Sequence, residues 1–334
     1  MQVRLARLED VDALVALART VDGHMTTMPR DADAMRERVQ WSLDSVAAPV
    51  QVPGNEMYLF VLEEEGEIVG LSAIFAAVGL DRPFYSYRVS RISKKAPEYD
   101  IQVSADILHL VNDYGGTAEL GTLFLRPDRR GGGRGRLLSY ARLMFMACHR
   151  NRFPERLFAE IRGETDEKDG SPFWDAVGRR FFKLDFGEAD KMSGRDYRFI
   201  ADLMPTHPIY VDLLPEAAQE VIGKVNDGAR GAAKLLEKQG LRYNGLVDIF
   251  DAGACLDART EDVKIVKKSQ VLTVAENTGA AAGTPAMVAN PSLQDFRVVI
   301  TETDIAADGE VRLPAQALQS LGLESGTSAS VYLF

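Results

Sequence analysis

The chain has 334 residues, 46% hydrophobic and 26% charged, with a formal net charge of −10. That is room for one large domain plus a small one, and no apolar run reaches the roughly eighteen residues a membrane span needs, so no membrane role is expected. The acidic balance opposes nucleic-acid binding and favours a cationic substrate. Two cysteines, Cys148 and Cys255, give no disulfide framework and no metal-ligand spacing, so a reducing cytoplasm and no metal are expected.

In chain order, Val3–Ala6 alternates like a strand, and Leu8-Glu9-Asp10 opens a helix carrying Val11, Leu14, Val15, Leu17 and Ala18 at helical spacing. Asp31–Ser45 is a second helix with Met35, Val39 and Leu43 on one face. Met57–Leu62 and Ile68–Val78 read as strands joined across Glu64-Glu65-Gly66, a hairpin signature. Residues 80–117 are mixed and aromatic-rich, and read as an insertion of short helices and loops. Glu119–Leu125 is a strand, Gly135–His149 a helix and Leu157–Ile161 a strand. Ser171-Pro172 starts a helix running to about Phe182, with a hydroxyl cap and proline at the first helical position. Helices follow at Pro215–Ile222 and Ala229–Lys238, then a break at Gly240 and a strand at Leu241–Ile249. The Gly, Ala and Thr run at 278–284 reads as a loop tip, and from about residue 260 the pattern is short strands with turns.

One segment concentrates chemistry. Arg126, Arg129, Arg130, Arg134 and Arg136 form a basic island in an acidic protein, and Arg130-Gly131-Gly132-Gly133-Arg134-Gly135 sits between a strand and a helix. Glycines there bring the backbone close to a ligand, and the helix start adds unsatisfied N–H donors and partial positive charge, a setting for phosphate. The P-loop pattern is absent, and the dinucleotide fingerprint fails because Arg136 stands where its third glycine is needed. An ordinary basic β-to-α turn is the competing reading.

The remaining pattern, Arg/Gln-x-x-Gly-x-Gly/Ala, is met by Arg130, Gly133 and Gly135. It resembles the pyrophosphate loop of the GNAT superfamily of N-acetyltransferases, which binds coenzyme A. The run Ala233–Leu241 resembles that superfamily's late helix and strand. The resemblance implies an α+β fold: a mixed, mostly antiparallel sheet flanked by helices, with a small C-terminal β-rich module. Residues 1–255 would form the GNAT-like acyltransferase domain, with the insertion at about 80–117, and 256–334 the module. It further implies that Leu123, Leu125, Arg130, Gly131, Gly133, Arg134 and Gly135 hold the cofactor.

More specifically, the chain is similar to the arginine N-succinyltransferases, including the alpha and beta chains of arginine/ornithine succinyltransferases. The phrases that carry this are Pro83–Arg88, Thr122–Leu125, Leu143–Ala147, Ser171–Trp174, Asp202–Pro205, His207–Tyr210 and Asp248–Asp251. The resemblance implies transfer of succinyl from succinyl-CoA to the α-amine of arginine, possibly ornithine, in arginine catabolism, by a homo- or hetero-oligomer. Alternatives are a paralogue using another amine or acyl-CoA, or a non-catalytic acyl-CoA-binding subunit. The family has a histidine, its proton donor, where Ile222-Gly223-Lys224-Val225 is followed by Asn226. Asparagine can donate a hydrogen bond to an oxyanion but cannot exchange a proton near neutrality. Phe75 replaces a glutamate found in some members. Asn226, with Glu119 and Glu160 on neighbouring strands, is the catalytic set; His24, Thr26, Tyr85 and Arg88 are the acceptor-side candidates. The end of the chain, Val311–Val331, resembles the half-barrel of AbrB-type regulators, but its poverty in Lys and Arg points to a structural or subunit-contact role.

Overall fold

The computed structural model describes residues 1–21, 28–166, 170–193, 203–277, 283–306 and 309–334. The expected loop tip at 278–284 and the candidates His24 and Thr26 lie mostly or wholly outside these ranges. β1 (Gln2–Leu5) buries Val3 and Leu5, then a 3₁₀ turn leads into α1 (Val11–Arg19). α2 (Ala32–Ala47) starts where Asp31 caps it, its Oδ1 accepting from the N–H groups of Asp33 and Ala34 at 3.0 Å each. The expected hairpin forms from β2 (Met57–Glu64) and β3 (Glu67–Phe75), turning through Glu65 and Gly66 at φ 53° and 81°.

Residues 80–117 differ from expectation. They form a long antiparallel hairpin, β4 (Ser86–Ala96) against β5 (Ile101–Val111), in place of short helices. Only its base is buried, at Ser86, Tyr87, Ile107 and Leu108; the outer half of β4 is mostly polar, and the apolar alternation of β5 at Ile101, Val103 and Ala105 runs away from the core, with Ile101 and Val103 exposed. β6 (Ala118–Leu125) leads through the glycine loop into α3 (Arg134–Cys148), which buries ten of its residues. α3 lies across the sheet, packed on β1, β2, β3 and β6 beneath it and on later elements above.

β7 (Arg156–Glu160) follows. The expected single helix after Ser171 is two short ones, α4 (Pro172–Ala176) and α5 (Gly178–Phe182). They break at Val177, where Gly178 lies so close to the Trp174 ring that a Cβ would meet it at 2.2 Å. Then come α6 (Phe186–Ser193), the short β8 (Ile209–Tyr210), α7 (Glu216–Val221), α8 (Arg230–Gln239), β9 (Arg242–Val247), β10 (Ala254–Arg259) and α9 (Lys264–Lys268). β10 pairs with β7 and β9, so the main sheet runs across residues 255 and 256, and α9 packs on α3.

The last elements are β11 (Gln270–Glu276), β12 (Thr284–Ala289), β13 (Arg297–Ile305), β14 (Glu310–Leu313), α10 (Ala315–Leu321) and β15 (Ser328–Leu333). Their pairings close on themselves, β12 to β13, β14, β11, β15 and back to β12, making a small barrel filled by Val274, Val288, Val311, Leu313 and Val331. β13 also pairs with β1, at Val3–Val298 and Arg4–Arg297, so barrel and main sheet are one continuous structure in order β12-β15-β11-β14-β13-β1-β2-β3-β6-β7-β10-β9-β4-β5-β8. Among the described residues only β6–β7 and β11–β14 are parallel; the sheet is otherwise antiparallel, and with its flanking helices the fold is α+β. Among the described residues no helix is long and apolar enough to cross a membrane.

Candidate active site

The glycine loop has the backbone its composition demands. Gly131, Gly132 and Gly133 stand at φ 96°, 57° and 81°, three consecutive left-handed residues that side chains would oppose. Gly133 caps α3, leaving the first N–H groups of a 15-residue helix at the loop. The basic island is not uniformly available. Arg134 makes a two-point contact with Glu64 at 2.7 and 3.0 Å, Arg129 reaches Glu67 at 2.8 Å, and Arg126 binds Glu67 at 2.5 Å and Asp128 at 2.7 Å. The hairpin turn between β2 and β3 thus neutralises three of the five arginines. Glu64, Glu67 and Asp128 are held below the usual carboxylate range by these guanidinium hydrogen bonds. Arg130 is exposed at the rim of the loop, and Arg136, in the first turn of α3, has no carboxylate partner among the described residues.

The strand leading into this loop is bent. Against β3, the register of β6 shifts between Leu71 and Ala73, so that Thr122 and Leu123 oppose Ser72 alone, and Thr122 takes φ 49°. This β-bulge reverses which side chains face α3: Ala118 and Leu120 before it, Leu123 and Leu125 after it, while Phe124 turns to the α1–α2 side. Thr122 is buried and its hydroxyl has no partner among the described residues. On its other side β6 pairs with β7 only at Ala118–Leu157 and Glu119–Phe158. Beyond those pairs the two parallel strands share no ladder, so the backbone groups of the bulge and of Leu123 to Leu125 line an opening between them.

At the point of divergence lie the two glutamates read from the sequence. Burial pushes the Glu119 carboxyl up to about 7, while Arg38 from α2 and Arg142 from α3 pull it back. Burial and then Asp248, Glu119 and Asp251 raise Glu160 well above the usual range; its nearest described partner is the Cys255 thiol, Sγ to Oε1 4.0 Å. Arg142 is itself almost wholly buried and, among the described residues, hydrogen-bonds only to neutral groups, donating to the Gly121 carbonyl at 3.2 Å and to the Ser139 carbonyl and hydroxyl at 3.2 and 3.1 Å. It links the middle of α3 to the residue before the bulge. Burial lowers it to about 9 and Arg38 to about 10, so both stay cationic near neutrality.

The floor beyond β7 is built by close backbone approach. A Cβ on Gly253 would meet the Ile161 carbonyl at 2.1 Å, and one on Gly163 the Asp251 carbonyl at 2.5 Å. Asp251 bridges the two segments, accepting from Gly163 N–H and Gly253 N–H at 2.8 Å each. Those bonds oppose the burial that raises its carboxyl. Asn226 joins here: its N–H donates to the Arg162 carbonyl at 2.9 Å, and its Oδ1 accepts from Gly228 N–H at 2.9 Å. The Oδ1 is therefore spent on a local turn, and the Nδ2 donor is what the residue offers a substrate. Tyr85 packs half-buried against the Tyr87, Phe173 and Trp174 cluster, and Arg88 is ion-paired with Asp113. Sequence reasoning singled out neither Arg38 nor Arg142; a lone arginine amid the apolar run of α3 was the available signal. Asp248 and Asp251 stood only within a family phrase, with no role attached.

A bulged strand parting from its parallel neighbour, ending in a glycine loop at a helix start, with buried carboxyls at the fork, defines an acyl-CoA N-acyltransferase of the GNAT type. The chain belongs to the arginine N-succinyltransferase family. The family model for arginine N-succinyltransferase beta subunit matches residues 1–265, and that for its C-terminal domain matches 270–331. The chain is 40% identical over 331 residues to proteins named arginine N-succinyltransferase from Escherichia coli and Shigella dysenteriae, covering 98% of this chain and 95% of each relative. It is also similar to a solved structure, arginine/ornithine succinyltransferase subunit AI from Pseudomonas aeruginosa. There the TM-score is 0.88 and the identity 36%, covering 99% of this chain and 98% of that one.

Proposed function

We propose that this protein transfers the succinyl group of succinyl-CoA to the α-amine of L-arginine in the cytoplasm. The observation that carries the reading is the fork of β6 and β7, where the raised carboxyls of Glu119 and Glu160 lie beside a backbone opening that ends in the glycine loop. In the reaction the amine nitrogen bonds to the thioester carbonyl carbon, the C–S bond breaks, and the proton lost by nitrogen replaces the one the thiolate needs. The α-amine of a free amino acid is mostly protonated near neutrality, so a base that takes up its proton speeds the attack. Glu119, raised to about 7 by burial at the fork, is the base assigned to this step. The acidic cluster of Glu160, Asp248 and Asp251 is the counter-charge assigned to the guanidinium of arginine, whose arrival would draw the raised Glu160 carboxyl back toward its ionised form.

At the carbonyl, the N–H groups of the bulged strand at Leu123 and Leu125 and the Nδ2 of Asn226 supply donors for the developing oxyanion. The diphosphate rests on Gly131, Gly133 and Gly135 and the start of α3, with Arg130 at the rim and Arg134 acting through its fixed pose on Glu64. A thiol-release assay with succinyl-CoA over arginine, ornithine, lysine and agmatine tests this. Fastest release with arginine, and little with agmatine, which keeps the amine but lacks the α-carboxylate, is the expected result. No release with any of the four would sink the proposal.

A further inference from the structure

Four observations converge on one arginine that the motif did not include. Arg136 lies in the first turn of α3, and its Nη2 is 4.0 Å from where a Cβ of Gly133 would stand, so its guanidinium lies against the loop itself. Its Cζ lies 4.3 Å from the ring centroid of Phe334, which follows β15 of the C-terminal barrel. Its Nε is buried without a partner, and no carboxylate engages it among the described residues. By contrast Arg126, Arg129 and Arg134 are all occupied by acids of the β2–β3 turn and Asp128.

We infer that Arg136 is a phosphate ligand of the acyl-CoA loop, and that Phe334 is its positioning residue, which gives the C-terminal barrel a part in cofactor binding. This rests on the acyl-CoA reading of the loop. A guanidinium stacked on an aromatic ring has one face covered while its N–H groups, which lie in its plane, stay open to a two-point contact with phosphate. The ring also limits the rotamers of a long side chain, so less freedom is lost when the anion arrives. Phe334 is itself held by the barrel: its ring meets Tyr332 edge-on at 5.6 Å and lies 6.5 Å from Tyr140 of α3. Because the guanidinium lies beside Gly133 of the loop, the diphosphate is the group assigned to it, and the 3′-phosphate is the alternative that the test separates.

The test is calorimetric titration of coenzyme A and of dephospho-CoA, which lacks the 3′-phosphate, into the full chain. Arg136→Ala is expected to weaken both ligands about tenfold and to flatten the salt dependence of binding. Phe334→Ala is expected to weaken them about three- to fivefold, with Phe334→Trp restoring binding and the Arg136→Ala, Phe334→Ala pair no weaker than Arg136→Ala alone. In steady state the KM for the acyl-CoA rises while kcat and the KM for the amine hold. Binding by Arg136→Ala within twofold of the parent protein would overturn the inference. So would a Phe334→Ala loss that tryptophan does not restore, or an Arg136→Ala loss confined to coenzyme A and absent with dephospho-CoA. A parent protein that binds neither ligand would overturn the acyl-CoA reading first, and this one with it.

Discussion

Glu119 carries a carboxyl raised to about 7 by burial, with Arg38 and Arg142 limiting the rise, and this sets two opposite pH responses. As a base it works only when ionised, so kcat/KM should climb as pH rises through about 7. Glu119→Gln should lose that limb and about 10²–10⁴-fold in rate, read from a pH–rate profile. For stability the sign is reversed. The folded pKa lies above the ordinary carboxylate value of 4.5, so the protonated form favours folding; that contribution is whole at acid pH and lost as pH rises toward 7. Denaturant titrations of Glu119→Gln should accordingly show a smaller fall in stability across that window than the parent chain. Asn226 allows a similar separation. Asn226→Asp keeps the acceptor for Gly228 N–H and removes the amide donor, while Asn226→Ala removes both. If the donor serves the oxyanion, both variants should lose about 10²-fold or more in kcat, while only Asn226→Ala should lower the unfolding midpoint. The two glutamates and Asn226 were legible in the sequence as polar residues on strands or in a family phrase. Arg142 was not, because a helical wheel assigns it to a side without saying that both sides of α3 are covered.

Among elements, the loop from β6 into α3 shows how a local signal acquires a distant partner. Three left-handed glycines follow from the sequence run itself, and Gly133→Ala should raise the KM for the acyl-CoA several-fold by straining φ 81°, as steady-state kinetics would show. The counter-charges come from the turn of β2 and β3; Glu64 stands seventy positions from Arg134 in the sequence. Replacing Glu64 and Glu67 together by glutamine should release Arg129 and Arg134 from their main partners and leave Arg126 on Asp128 alone. The expected result is a lower KM for the acyl-CoA at low ionic strength and a steeper rise with salt; an unchanged salt response would show that these arginines take no part. The turn was readable from Glu64-Glu65-Gly66, since a hairpin is local. Its ion pairs were not, because nothing in either segment states which strands become neighbours. The β4–β5 hairpin was missed for a related reason: β5 alternates at Ile101, Val103, Ala105 and Ile107, but its partner β4 is mostly polar in its outer half, and nothing in either strand says that they pair.

Over the whole molecule, the barrel is joined to the main sheet by β1 with β13 and by Phe296. That side chain is 1% exposed, and its ring lies 5.0 Å from Phe145 of α3 and 6.0 Å from Phe60 of β2. Phe296→Ala should therefore cost about 3–5 kcal/mol of the stability of the whole chain, with a single unfolding transition by circular dichroism and tryptophan fluorescence alike. Two separate transitions would mean the barrel folds on its own. What the sequence by itself determined was local or family-wide: the caps and turns, the strand–loop–helix unit, the glycine loop, and the likeness that set the fold class. These depend on residues within one turn or one strand of each other. Only the tertiary structure decided which charges are available. Burial and distant partners set the Glu119 pKa, engage three arginines of the island while leaving Arg136 beside Phe334, and fasten the barrel to the sheet. Desolvation and long-range pairing are properties of neighbours in space, and those neighbours exist only once the chain is folded.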